Sequence, residues 1–211
     1  MATAGYTMLL EMTYLNPYTA ELQCHPATPA QSVRGVEAQV GWGNGGALTL
    51  TFSLEGDLAR LRIPAPQPSR RADDLWQHTC FEAFIRHEGE AAYCEFNFAP
   101  SGEWAAYAFR RYRDGTPFAQ DLDPRIAVRS TEGRLELDAI IRLDCLPPVQ
   151  PRARLQLALS AVVEDDQGVL SYWALTHPSG RPNFHHPDAF ALELERPDVN
   201  PVSDSPEEGK R

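Results

Sequence analysis

Hydrophobic residues in this chain recur at every second position. Leu48, Leu50, Phe52 and Leu54 alternate with Thr49, Thr51 and Ser53, the mark of a half-buried strand with its hydroxyls outward. Leu135, Leu137, Ala139, Ile141 and Leu143 alternate with Arg134, Glu136, Asp138 and Arg142 in the same way. A third run, Leu155, Leu157, Leu159, Ala161 and Val163, faces a mixed set of Gln156, Ala158, Ser160 and Val162, and predicts a strand covered on both sides. Shorter candidates fall at 33–42, 58–63, 79–87, 91–99, 103–112, 125–131, 169–175 and 189–195, which brings the total to about eleven. Turn chemistry sits between them at Asn44-Gly45, Pro100-Ser101-Gly102, Glu132-Gly133 and Gln167-Gly168. No segment carries a long helical period. The pattern predicts an all-β fold with little helix, a two-sheet antiparallel β-sandwich of jelly-roll type.

Some segments lie outside this pattern. Gly41–Gly46, GWGNGG, satisfies a GxGxxG spacing, but a strand follows where a dinucleotide site needs a helix, so it reads as a hairpin loop. Pro64–Ala72 is proline-rich and basic and reads as an extended surface loop. Too little precedes it to form a separate core, so residues 1–195 are read as one domain. Residues 196–211 have three prolines and almost no apolar mass, and are expected to be a disordered tail.

Charge narrows the partners. The 211 residues carry a formal net charge of -10, which disfavours nucleic acid and anionic membrane and favours a neutral or cationic ligand. No run of eighteen apolar residues occurs and the N-terminus lacks a signal-peptide pattern, so a soluble, cytoplasmic protein is expected. The four cysteines, Cys24, Cys80, Cys94 and Cys145, form no CxxC pair. Cys80 and Cys94 lie in neighbouring predicted strands and could meet across a ladder, although two buried thiols suit a reducing compartment better.

Candidate chemistry collects in two places. Alternation in 79–87 and 91–99 puts Glu82, Glu95 and Asn97 on one face, flanked by Phe84, Tyr93 and either Trp76 or Trp104. Rings for stacking beside carboxylate and amide groups suit a hydroxyl-rich ligand. Two carboxylates also invite a glycosidase reading. Against it stands a plain surface, or carboxylates met by Arg110, Arg111 or Arg113. The second place is Tyr172–Phe190, which holds His177, His185 and His186 among aromatics. These imidazoles could ligate a metal or a haem iron, but adjacent histidines in a strand point apart, and loop hydrogen bonding is the favoured reading. No GxSxG or HExxH motif supports hydrolysis.

Trp76 with Cys80-Phe81-Glu82, then Tyr93–Gly102 with Glu95, Asn97 and Pro100, then Phe184-His185-His186-Pro187-Asp188-Ala189-Phe190, resemble in order and spacing the DOMON-like proteins and the related family 9 carbohydrate-binding modules. The resemblance spans roughly residues 20–195. Its closing motif ends in Ala191 where the bacterial relatives have glycine. It implies a β-sandwich that binds sugar or haem and does no chemistry on a bound sugar. The expected ligand-binding residues are Trp76, Glu82, Tyr93, Glu95, Asn97, Trp104, Trp173, Phe184 and His185, with no catalytic residue and no metal ion. Haem, through His177, His185 or His186, is the alternative, as is a β-sandwich that meets another protein.

Overall fold

The computed structural model describes residues 15–118, 122, 124–143 and 154–195. Met8, Met12, Cys145 and the 196–211 segment lie outside them.

Two antiparallel sheets pack face to face. The first contains β1 (Leu15–Cys24), β2 (Val33–Trp42), β3 (Leu48–Gly56), β9 (Arg134–Ile141) and β8 (Arg125–Thr131) in spatial order. The second runs β7 (Asp114–Pro117), β6 (Trp104–Arg111), β5 (Tyr93–Phe98), β4 (Cys80–His87), β10 (Leu155–Glu164) and β11 (Leu170–Ala174). The short β12 (Leu192–Leu194) pairs with the start of β10. β1 joins the sheets: Leu15–Leu22 pair with β2, while Gln23 and Cys24 pair with Ala174 and Trp173 of β11. No helix among the described residues is long and apolar enough to cross a membrane.

The alternation in the sequence is the alternation of the sheets. Leu50, Phe52 and Leu54 of β3 and Leu135, Leu137 and Ala139 of β9 point inward and are fully buried. They meet Phe81, Ala83 and Ile85 of β4 and Phe96 and Phe98 of β5. Phe52 stacks on Phe81 across the gap with ring centres 5.1 Å apart. Burial of these side chains, at about 1.5–3 kcal/mol each, is the main force holding the sheets together.

Ten of the eleven expected strands form. Residues 58–63 instead make a single 3-10 turn at Leu58–Arg60 and an isolated bridge from Leu61 to Asp165. Leu58, Leu61 and Ile63 pack on the core, so their spacing reflects burial without a ladder. Two further strands, β1 and β7, were not expected, although β1 alternates Tyr18, Ala20, Leu22 and Cys24 with Thr19, Glu21 and Gln23. From Pro17 to Cys24 of β1 only Leu22 is fully buried, and the pairing with β2 shifts register around Pro17, which has no N–H to offer. β7 is an edge strand with the sequence DGTP. Its Gly115 is required by close approach: a Cβ there would fall 2.4 Å from the ring of Phe109, its cross-strand partner.

GWGNGG forms a turn that leads directly into β3. Pro64–Ala72 runs extended beside the start of β6, with backbone hydrogen bonds from Gln67 to Ser101 and from Ala72 to Trp104. Both faces of β10 are buried, as its mixed pattern predicted. Cys80 and Cys94 are free thiols. They cannot meet, because Cys80 shares the outer face of β4 with Glu82 whereas Cys94 shares the inner face of β5 with Phe96.

Candidate binding site

The site lies on the outer face of the second sheet. Strand register sets its floor: Phe84, Glu95 and Tyr107 form one row across β4, β5 and β6, and Arg86, Tyr93 and Phe109 form the next. Glu82 sits between Ser160 of β10 and Asn97 of β5. The segment after β11 then folds back across this face. Phe184 and Phe190 anchor it, packing with Phe84, Tyr93, Ala158, Val162 and Ala174 in an apolar cluster separate from the inter-sheet core. The Arg86 guanidinium lies 4.2 Å from the centre of the Phe190 ring.

Hydrogen bonds lock the segment over the sheet. The Arg113 backbone N–H donates to Tyr93 Oη at 3.2 Å, and Tyr93 Oη lies 2.9 Å from His185 Nδ1. The other ring nitrogen of His185, Nε2, lies 3.7 Å from Glu95 Oε2. The Arg113 guanidinium donates to Asn183 Oδ1 at 3.2 Å, and Asn183 Nδ2 donates to Tyr112 Oη at 3.0 Å.

Between segment and sheet remains an open cavity of about 610 Å³. Glu82, Phe84, Glu95, Tyr107 and Phe109 line its sheet side, with Phe184, His185 and Arg113 opposite or beside them. Trp76 stands at its edge with half its surface exposed. The described residues include two non-glycine positions with positive φ, Asp74 (62°) and Arg113 (54°), and both line this cavity. Residues without glycine's freedom held there are uncommon and gather where position matters.

The electrostatics are unusual for a sheet surface. Glu82 and Glu95 are 3% and 5% exposed. Burial, then the Glu95 charge, pushes Glu82 well above the ordinary carboxylate range. Glu95 is raised by burial to about 7, against the pull of a hydrogen bond from Asn97 Nδ2 at 2.8 Å and of the Arg113 charge. Burial lowers His185 to about 4, with Arg113 adding to the effect, so its imidazole is neutral near pH 7. The Ser160 hydroxyl on β10 pulls Glu82 part of the way back, and Asn97 Oδ1, buried beside the carboxylates, has no hydrogen-bond partner.

The expected residues therefore separate into groups. Trp76, Glu82, Glu95, Phe184 and His185 line one cavity. Tyr93 and Asn97 sit behind it, bonded to His185 and Glu95 respectively. Trp104 and Trp173 belong to the inter-sheet core, with the Trp173 indole donating to Ser171 Oγ at 3.0 Å. The expectation missed that the register puts their side chains on the inner face. His177 Nε2 lies 2.7 Å from the Gln23 carbonyl, and His186 Nδ1 accepts from the Asp188 N–H, so the three histidines do not converge. Tyr107, Phe109 and Asp74 were not foreseen. The alternation of Tyr107 and Phe109 with Ala106 and Ala108 was the available signal, since it puts large rings on a single face of β6.

No family model matches the chain, and no curated protein matches it by sequence. Solved structures do share the fold. A provisionally assigned carbohydrate-binding protein from Bacteroides uniformis is 16% identical, with a TM-score of 0.64 over 84% of this chain and 85% of that one. A family 9 carbohydrate-binding module from Caldicellulosiruptor kristjanssonii, in complex with cellotriose, is 12% identical with a TM-score of 0.50 over 78% of this chain and 75% of that one. The chain is thus an antiparallel β-sandwich of the kind found in carbohydrate-binding modules, with a ligand-sized cavity on one outer face.

Proposed function

We propose that the chain is a non-catalytic binding module for a small carbohydrate, which it holds in the cavity on the outer face of the second sheet. The observation that carries this reading is the lining. Trp76, Phe84, Tyr107 and Phe109 offer ring faces and edges to the apolar side of a sugar, and Glu82, Glu95 and Arg113 offer acceptors and donors to its hydroxyls. The cavity volume falls within the ordinary range for small-molecule sites. The shared fold with a module solved in complex with cellotriose adds support.

The carboxylates favour binding over glycoside hydrolysis. Hydrolysis pairs a protonated acid with a carboxylate held ionised as nucleophile or base. Here burial raises both, Glu95 to about 7 and Glu82 well above the ordinary range, so neither is held low as a nucleophile or base would be. Haem ligation by His185 would require its ring to give up Tyr93 or turn from Glu95, and ligation by His177 or His186 would break the bonds they make to loop backbone.

Calorimetric titration of the purified protein against mono- and disaccharides tests the proposal. A saturable heat with at least one sugar is expected, with affinity at least tenfold weaker in Trp76→Ala. No binding across the panel, together with a Soret band on haem addition that a His185→Ala change removes, would replace this reading with the haem one.

A further inference from the structure

Glu82 presents a problem that a neutral sugar solves poorly. It is 3% exposed, it lines the cavity, and no cation stands within ion-pair distance of it. Its polar neighbour is the neutral Ser160 hydroxyl on β10, which draws it back only in part from the rise that burial causes. Glu95, the second carboxylate of the floor, has one donor, the Asn97 amide. An ionised carboxylate buried without a counter-charge is costly, and the fold avoids that cost only by keeping Glu82 protonated.

The nearby cations do not answer it. Arg113 and Arg181 also line the cavity, but both are exposed at its mouth. Arg113 is turned to Asn183 and Tyr112, and neither arginine comes within ion-pair distance of Glu82 or Glu95. His185 is close to Glu95, but its Nδ1 is held by Tyr93. The cavity therefore has acidic groups at its base and basic groups at its rim. Around the base stand Phe84, Tyr107 and Phe109, whose π faces also attract a cation. The net charge of -10 adds a long-range field of the same sign.

From this arrangement we infer that the ligand of this cavity is an amino sugar, a hexose bearing a free primary amine, whose ammonium group lies against Glu82 and Glu95. The inference rests on the carbohydrate reading above and narrows it. An ammonium brings three N–H donors and one positive charge to a place where two buried carboxyl groups lie side by side, and its charge favours their ionised, acceptor-only form. Hydroxyls on the same ring remain free for Arg113 and the rim. An N-acetylated sugar lacks the charge and adds bulk at the base, so it is excluded from the ligand class.

Matched pairs of sugars separate the two readings. The full-length protein is titrated at pH 6.5 with glucose against glucosamine, galactose against galactosamine, and mannose against mannosamine, with N-acetylglucosamine as the uncharged nitrogen control. In the pair with the preferred ring stereochemistry, the amino sugar should bind at least tenfold more tightly than its parent, and N-acetylglucosamine no more tightly than glucose. Glu82→Gln should bring the amino-to-parent ratio close to one whatever its effect on absolute affinity. Glu95→Gln should lower the same ratio and serves where the first variant does not fold. A parent sugar that binds as tightly as its amine overturns the inference and leaves the carbohydrate reading intact. Silence with every pair overturns both.

Discussion

The two outer faces of the sandwich carry the same residue types to opposite effect. On the first sheet, Glu136 and Asp138 project outward from β9 and meet arginines on their own sheet. Arg134 donates to Glu136 at 2.8 Å, and Arg129 bonds both Glu136 and Asp138. Thr51 adds a hydrogen bond to Asp138 at 2.6 Å. Arg134 and Arg129 hold Glu136 below the ordinary carboxylate range. On the second sheet, Glu82 and Glu95 project outward in the same alternation, but their neighbours are rings, an amide and each other. Burial then raises them. The first face is satisfied by itself and needs only water. The second has neutral donors in Asn97 and Ser160 but no arginine within ion-pair distance of its carboxyl groups. Carboxylates alone thus say little about function; the supply of donors around them separates a surface from a site.

Removing a charge should therefore have opposite consequences on the two faces. The larger effect is expected at Glu95. Its folded pKa is raised from 4.5 to about 7, so the folded state holds its proton more tightly than the unfolded state does. Stability from this group is greatest below about pH 4.5, falls as pH rises to about 7, and is flat above. Glu95→Gln has no proton to lose and escapes that fall. It should match the wild type in stability near pH 4.5 and exceed it at pH 8, by on the order of 3 kcal/mol for a shift of this size. His185 titrates in the opposite sense and is common to both proteins. Urea denaturation across pH 4.5–8 measures the difference, and an advantage that does not grow with pH would remove the electrostatic half of the contrast.

A smaller effect is expected where the covering segment is fastened. Tyr93→Phe keeps the ring stacked on Phe109 at 4.5 Å but deletes the hydroxyl shared by His185 and the Arg113 N–H. The loss should be about 1 kcal/mol in global stability. Hydrogen exchange should show it locally, with faster exchange at Arg113, whose amide loses its acceptor. Unchanged exchange there would mean that Phe184 and Phe190 alone hold the segment in place.

How much of this was readable beforehand follows from the physics of each feature. Period-two alternation reports burial of one face, so strands such as β3 and β9 were plain. β1 carried the same signal in Tyr18, Ala20, Leu22 and Cys24 and was overlooked, whereas β7, DGTP, stays invisible to it because backbone pairing alone holds that strand. The pairing of Glu82 with Asn97 on one face was legible because residue parity fixes the face once two strands are adjacent. Trp104 and Trp173 were assigned to the site by residue type, although Trp104 shares parity with Ala106 and Ala108 and not with Tyr107 and Phe109. Nothing in the sequence could show that the Tyr172–Phe190 segment folds over β4 and β5. That contact is long-range, and it turns a pair of sheet-surface glutamates into buried ones.

The smallest effect is expected at Glu136, where the contrast is sharpest in sign. Its folded pKa is lowered by its arginines, so it contributes stability that is present above the ordinary glutamate value and lost as pH falls through the lowered one. Glu136 and its partner Arg129 are 28% and 40% exposed at the side chain, so solvent screens the pair and the contribution should be only about 0–1 kcal/mol. Glu136→Gln should accordingly be slightly less stable than the wild type at pH 7 and should converge on it at low pH. Its stability deficit should also shrink with added salt, whereas the Glu95→Gln advantage, which arises from desolvation inside the cavity, should change little. Denaturation of both variants at low and high ionic strength measures this. A salt response of the same sign and size on both faces would mean that the buried carboxylates are as open to solvent as the exposed ones, and the distinction between surface and site would fail at its physical root.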